Sequence, residues 1–297
     1  MTGIRDLLGP MRLPFLILAP ACALLGVGSA VWTAGEIDTW HTVLVFLGAI
    51  AAHVSVNALN EYFDFKSGLD ARTERTPFSG GSGTLPANPS LAGHALTIGL
   101  VALAITALIG LFFLSAWGLA LLPLGLLGLL VIFTYTPWLA HNPFFCLIAP
   151  GLGFGTLMVM GADFVLTGDY SWTAFFASLV PFFLVNNLLL LNQFPDLEAD
   201  NSIGRKNIAI VWGKKRAALL YGAFLLCTYL SIILGVYLDY LPGSALIGLL
   251  SLLLAVPLGI GAYRYADERE RLMPYLGLNV IINILTPALV AIGIFVG

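Results

Sequence analysis

Charge is what this chain has least of. Only 10% of its 297 residues are Asp, Glu, Lys or Arg, while 59% are hydrophobic. Ordinary soluble domains carry roughly 25% charged residues, so the composition excludes that class and indicates a polytopic membrane protein. The net charge of −3 leaves no basic excess, which excludes nucleic acid as a partner. Cysteine is nearly absent too. Cys22, Cys146 and Cys227 each lie inside an apolar run, without metal-site spacing or a disulfide pattern, and read as small packing residues. No cleavable leader is expected, because the first apolar stretch runs past Val31 and is long enough to span. Low-complexity tails and polar domains are also missing. The expectation is an all-α protein, with residues 1–297 forming a single transmembrane domain.

What is there is a series of apolar runs. Nine spans of about 20 residues, the length a ~30 Å hydrocarbon core requires, fall near 13–33, 41–62, 92–114, 116–136, 143–166, 172–194, 216–238, 243–265 and 273–296. The 13 basic residues sort cleanly on this map. Arg5 and Arg12 precede the first span, and Lys66, Arg72 and Arg75 follow the second. Arg205, Lys206, Lys214, Lys215 and Arg216 follow the sixth, and Arg264, Arg269 and Arg271 follow the eighth. The opposite connections carry only Glu36, Asp38, Asp163, Asp169 and Asp239. The positive-inside rule then puts the N-terminus in the cytoplasm and the C-terminus outside, in a multi-pass protein of the cell's inner (plasma) membrane.

Two acid clusters lie on the cytoplasmic side. The first runs Asn60-Glu61-Tyr62-Phe63-Asp64-Phe65-Lys66-Ser67-Gly68-Leu69-Asp70, and the second Asn192-Gln193-Phe194-Pro195-Asp196-Leu197-Glu198-Ala199-Asp200. Each has an Asn four residues before an Asp, and the two units recur 132 residues apart, a hint of two related halves. Carboxylates beside a bilayer are costly and mark function. Two of them on two helices fit a divalent cation shared with a phosphorylated ligand, because Mg²⁺ takes hard oxygen ligands and completes its shell with phosphate. Residues i and i+4 share a helix face, which pairs Asn60 with Asp64 and, if helix continues through Pro195, Asn192 with Asp196 and Asp200. Asp70 is off that face, so the helix must break near Gly68 for it to converge. Arg12, Arg72, Arg75 and the Gly204-Arg205-Lys206-Asn207 segment supply cations for phosphate oxygens. The connections 63–91 and 195–215 are long, and 76–90 is rich in Gly, Pro and Ser, either a mobile cover over the site or a plain link.

Plainer roles compete. Asn and Asp cap helices, and Lys214, Lys215 and Arg216 are accounted for by topology alone. His53 lies inside the second span as a packing residue or part of a pocket. Asn57, Asn186 and Asn187 line a pocket or bond between helices.

The paired motifs, the nine-span layout and the Gly-Arg-Lys-Asn segment resemble the UbiA superfamily of intramembrane aromatic prenyltransferases, over essentially the whole chain. The first motif is especially similar to the branch that acts on 1,4-dihydroxy-2-naphthoate in menaquinone synthesis. The resemblance implies a central cavity open to cytoplasm and lipid, and Mg²⁺-dependent transfer of a prenyl group from polyprenyl diphosphate to an aromatic acceptor at the cytoplasmic face, with no protein partner inferred. It implies metal ligation by Asn60, Asp64, Asp70, Asp196 and Asp200. It implies diphosphate contacts from Arg12, Asn60, Lys66, Arg75, Asn192, Arg205 and Lys206, and catalytic roles for Asp64, Asp196 and Tyr135. Three positions depart from the family pattern. Gly68 stands where an Asp is frequent, with Asp70 two residues on. Glu61 replaces a common Asp. Tyr135 is followed four residues later by Leu139 rather than Lys, leaving His141 as the nearby titratable group. Other acceptors (4-hydroxybenzoate, homogentisate, haem or a non-aromatic alcohol) fit the same motifs. A secondary transporter or a non-catalytic prenyl-lipid binder are readings of a different class.

Overall fold

The computed structural model describes residues 3–297; their regular structure is helical, with no strand, and irregular connections such as 69–83 join the helices. Eight helical stretches are long and apolar enough to cross a membrane. We label the long helices α1 (Leu18–Ala34), α2 (Thr39–Ser67), α3 (Ala92–Trp117), α4 (Leu122–Thr134), α5 (Pro143–Thr167), α6 (Trp172–Ser202), α7 (Lys214–Tyr237), α8 (Gly243–Arg264) and α9 (Arg269–Val296). α3 and α4 belong to one apolar stretch, Pro89–Thr134, of 46 residues. A straight helix of that length would measure roughly 69 Å, more than twice a ~30 Å hydrocarbon core. It is broken by a 3₁₀ turn at Gly118–Leu121. Hydrogen bonds locate that corner. Trp117 Nε1 donates to the Val165 carbonyl (2.9 Å) and the Tyr170 hydroxyl to that of Ala120 (2.9 Å), beside the C-terminal end of α5. The outer ends lie on the opposite side, where His94 meets the Leu7 carbonyl (3.1 Å) and Asn60 bonds Thr136 just past α4 (3.1 Å). α3 and α4 therefore run antiparallel.

Local chemistry sets the helix ends. Asp38 caps α2 by accepting from the His41 N–H (2.7 Å), Ser171 caps α6 through the Ala174 N–H (3.0 Å), and Asn142 with Pro143 opens α5. α6 is the central helix: 67% of its most apolar 18 residues are buried, against 17% for the α3–α4 stretch at the periphery. Helices approach closely where side chains are small. At Gly99 the α3 backbone lies against Leu59 of α2, and the Ser55 hydroxyl donates to the Gly99 carbonyl (2.8 Å). Asn186 and Asn187 serve as interhelical ties. Asn186 accepts from the Gly151 N–H (2.6 Å), and Asn187 donates to the Tyr221 carbonyl (2.9 Å).

Several elements differ from the sequence expectation. α2 runs to Ser67, and α6 continues through Pro195 to Ser202. The connection at 195–215 is consequently mostly helix, with a further short helix at Ile208–Trp212 capped by Asn207. α6 tolerates Pro195 because the proline lacks only one N–H, while burial of Phe194 and Asp200 on either side holds the helix together. α5 is not uniform. Pro150 cannot donate within the helix, and Leu152–Leu157 opens into a π-helical turn. Asp163, expected in an outer loop, is fully buried in α5 and accepts from the Ser171 hydroxyl (2.8 Å).

α1 to α6, together with α9, enclose a cavity of about 600 Å³. Along α2 its wall extends from Asn60 to Leu44, roughly 24 Å at 1.5 Å per residue. Apart from Arg12, Asn60 and Asn192 at the acid end and a few polar groups below them, the wall is apolar.

Candidate functional site

The first cluster is built by a helix and its end. Asn60 and Asp64 share a face of α2, and the Asn60 amide donates to the Asp64 carboxylate (3.0 Å). Gly68 ends the helix at φ 77°, the left-handed conformation glycine adopts without strain. The Leu69 N–H bonds back to the Asp64 carbonyl (3.0 Å), and Asp70 returns toward the site. Its Oδ1 lies on the same side of Gly81 as Glu61 and Arg12, and its Oδ2 is buried without a hydrogen-bond partner. Burial first, then repulsion from Asp64 and Glu61, pushes the Asp70 carboxyl up to about 7.

The second cluster is one continuous helical face. Asn192, Asp196 and Asp200 follow each other at steps of four on α6. Arg205 joins the two clusters: its guanidinium forms an ion pair with Asp64 on one arm and meets Asp200 on the other (3.3 Å). Asn207 holds the second Asp200 oxygen (3.1 Å). Burial alone would lower the Arg205 guanidinium, but Asp64 and Asp200 outweigh it and leave it raised, so the cation is permanent. Arg72 ties the turn after the first cluster to the end of α6, donating to the Ser202 carbonyl (3.0 Å).

The segment 76–90 folds over the cavity mouth from one cluster to the other. On the α2 side Glu61, fully buried, accepts from Arg12 Nε (2.6 Å), the Ser82 N–H (2.6 Å) and the Ser82 hydroxyl (2.7 Å). On the α6 side the Ser79 hydroxyl donates to Asp196 (3.0 Å), and Asn192 donates to the Phe78 carbonyl (3.1 Å). Gly81 suits this approach: its φ of 71° is a left-handed conformation that favours glycine, and a Cβ there would stand 3.1 Å from Glu61 Oε1. Burial would lower the Arg12 guanidinium, but Glu61, with Asp64 and Asp70 beyond it, leaves it raised. Arg12 also donates to Asn60 (2.9 Å), so it belongs to the first cluster.

The remaining expected residues divide. Tyr135 lines the cavity beside Cys146. Arg75 turns back onto the covering segment, donating to the Gly81 (3.3 Å) and Ser82 carbonyls. Lys66 is exposed and lies over the Tyr62 ring (5.8 Å), away from the site. The reason is geometric: two residues past Asp64, it points to nearly the opposite helix face. Lys206 is exposed, and His141 is exposed within electrostatic reach of Asp200. Two residues emerge that had no expected site role, Glu61 and Ser79, as anchors of the covering segment, while Asn57, expected to line a pocket or bond between helices, lines the cavity and bonds the Met11 carbonyl (3.0 Å). Glu61 had a signal, since it replaces an acid of the motif. Ser79 had none beyond its Gly-rich surroundings.

Among the described residues no three His, Cys, Asp or Glu side chains converge as a closed metal cage. Mg²⁺ does not require one, because it is commonly held by one or two carboxylates plus phosphate oxygens. The chemistry of the donor set fits: hard oxygens from both clusters face one mouth, and buried oxygens of Asp70 and Asn192 lack protein partners.

The structure is thus an all-helical membrane fold with a deep apolar cavity, closed at one end by two acid clusters and the arginines paired with them. The chain belongs to the UbiA prenyltransferase family, whose model matches residues 19–281. It is 28% identical over 203 residues to the 1,4-dihydroxy-2-naphthoate octaprenyltransferase of Bacillus subtilis, covering 67% of this chain and 63% of that protein's length. It is 28% identical over 233 residues to the digeranylgeranylglyceryl phosphate synthase of Thermococcus kodakarensis (77% and 76% covered). It is 26% identical over 255 residues to the 2-carboxy-1,4-naphthoquinone phytyltransferase of Synechocystis (82% and 79% covered). Among solved structures, a UbiA homolog from Aeropyrum pernix superposes with a TM-score of 0.73 at 19% identity, over 95% of this chain and 97% of that one. A homolog from Archaeoglobus fulgidus bound to GPP and Mg²⁺ gives 0.60 at 14% identity, over 96% and 99%. At these identities the structural likeness establishes the fold.

Proposed function

We propose that the chain transfers a prenyl group from a polyprenyl diphosphate to an aromatic acceptor, a 1,4-dihydroxy-2-naphthoate-type ring in menaquinone synthesis. The observation that carries this reading is the meeting of the two acid clusters, through Arg205, at the mouth of a long apolar cavity. The mouth suits a diphosphate and the cavity an isoprenoid tail. Asn60, Asp64, Asp70, Asp196 and Asp200 would hold Mg²⁺. Bound there, Mg²⁺ would offset the negative charge of the diphosphate as it departs. The chain's own residues do the rest. Arg205 and Arg12 are fixed cations at the mouth, preorganised by carboxylates, so they meet developing charge without reorganising. The covering segment, pinned at Glu61 and Asp196, closes the site from water, which would otherwise quench an allylic cation. Tyr135 offers a protonated phenol and an aromatic face where the head and tail regions join.

The membrane arrangement follows from the same frame. The antiparallel α3 and α4 each count as a crossing in our reading, which makes nine. The basic residues lie on the side of the clusters, and this supports a cytoplasmic N-terminus and an active site facing the cytoplasm, with residues 1–297 acting as one transmembrane domain in the inner membrane. The naphthoate acceptor is supported by two of the three relatives named above; the third is a glyceryl phosphate synthase, so the test must separate ring from alcohol. Purified protein is given geranylgeranyl diphosphate, Mg²⁺ and a panel comprising a dihydroxynaphthoate, 4-hydroxybenzoate, homogentisate and a geranylgeranylglyceryl phosphate, with mass spectrometry of products and an EDTA control. A prenylated naphthoate that disappears with EDTA is the expected result. A prenylated glyceryl phosphate alone would move the chain to the non-aromatic branch, and no transfer at all would refute the reading.

A further inference from the structure

Among the polar side chains of the cavity wall, His53 is one to which the transfer reaction has so far given no part. His53 lies in α2, only 4% exposed, in the cavity wall. It precedes Asn60 by seven residues, which places it on the same helix face and roughly 10 Å deeper. His53, Asn57, Asn60 and Asp64 thus form a polar stripe descending from the mouth. The upper members are occupied. Asn57 bonds the Met11 carbonyl, and Asn60 bonds Asp64, Thr136 and Arg12. His53 has no such partner: its Nδ1 is buried without a hydrogen bond. Its ring meets Phe154 edge-on, 4.7 Å between centroids at 79°. Phe154 is held there by the π-helical turn that follows Pro150, the kind of helix irregularity found at functional positions.

A packing role accounts poorly for this arrangement. Burying a ring nitrogen without a partner costs stability that Phe or Leu at the same position would not. The other titratable residues lining the cavity are Arg12 and Tyr135, and Arg12 is held by Glu61 and Asn60. His53 is the one imidazole in the wall, and either ring nitrogen can donate or accept according to tautomer.

We propose that His53 receives the aromatic acceptor, hydrogen-bonding a ring hydroxyl and so positioning the ring beneath the diphosphate, against Phe154. This deepens the prenyltransferase reading and rests on it. It makes His53 the residue that selects acceptors with a free ring hydroxyl over their O-methyl ethers.

The test uses the full chain in detergent, as wild type, His53→Leu and His53→Gln, with geranylgeranyl diphosphate, Mg²⁺, a dihydroxynaphthoate and its O-methyl ether. His53→Leu is expected to raise the acceptor KM about tenfold or more, leave the donor KM unchanged and shrink the preference for the free hydroxyl. His53→Gln, which keeps hydrogen-bonding groups, is expected to recover part of the loss. Where His53→Leu does not purify folded, His53→Asn, whose shorter amide withdraws the bond, takes its place. Wild-type transfer to the ring with an unchanged acceptor KM in the variants overturns the role of His53 and leaves the prenyltransferase reading standing. A donor KM that rises in parallel also overturns it, assigning His53 to the prenyl tail. Failure of the wild type to prenylate any ring overturns both.

Discussion

The two acid clusters carry the same Asn-x-x-x-Asp spacing on different backbones. In the first, α2 stops at Gly68 one turn past Asp64, and the last acid, Asp70, returns on a turn. In the second, α6 runs on through Pro195, so Asn192, Asp196 and Asp200 sit on one rigid face. A repeated pattern in sequence is thus not a repeated local structure. One half of the site is placed by a helix cap and the other by helix continuity, and Arg205 locks the two together. The halves should therefore fail in different ways.

The largest effects should come from the acids that both halves share in kind. Asp64→Ala and Asp196→Ala are each expected to lower Mg²⁺-dependent turnover by about 10²- to 10³-fold or more, measured by product formation, with the fold intact by thermal melting. Near-wild-type turnover in either variant would remove that half from the site. Next comes the lock. Arg205→Leu leaves Asp64 and Asp200 buried without their shared cation and should cost about 3 kcal/mol of stability, read as a lowered Tm in detergent. An unchanged Tm would mean that the halves stand independently.

A pH experiment that compares wild type with Asp70→Asn reports on the cap-built half. The Asp70 carboxyl sits at about 7 in the folded protein, against about 3.9 for an unfolded chain. The folded state therefore holds this proton more tightly, and its stability falls as pH rises from about 4, with the loss complete above about 7. Asp70→Asn should remove that contribution, and its Tm should change less than the wild type's across the window. Parallel profiles would show that Asp70 does not carry the burden assigned to it. The smallest effects test the two backbones directly. Gly68→Ala meets open space, so only the left-handed backbone is strained, a cost of about 1 kcal/mol. Pro195→Ala restores a helical N–H and should gain about 1 kcal/mol. Opposite signs would support the contrast; a loss in both would show that α6 depends on its proline.

Much of this was legible in the sequence. The membrane class and most span positions follow from apolar run length, although 92–114 and 116–136 form one apolar stretch broken at Gly118–Leu121, and the pairing of Asn60 with Asp64 follows from i, i+4 geometry. The break at Gly68 follows from the need to bring Asp70 round. What was not legible depended on tertiary contacts. Pro195 locally argues against helix, and only the packing around Phe194 and Asp200 carries α6 through it. Arg205 reads as one cation among several until the chain turn at Gly204 brings it between two carboxylates from separate helices. Glu61 looks like a mild motif change, yet it anchors the covering segment through Ser82, 21 residues away. Lys66 is the opposite case: its neighbours made it attractive, while its helix angle, two residues from Asp64, already turned it away.

The central claim is that the two clusters bind one ligand together. The most direct test is Mg²⁺-dependent binding of a non-hydrolysable prenyl diphosphate analogue to wild type, Asp64→Asn, Asp196→Asn and the double variant. If the halves form one site, the double variant should lose little more affinity than the worse single variant, a strongly non-additive cycle. Losses that add independently, or a single variant that binds like wild type, would contradict it.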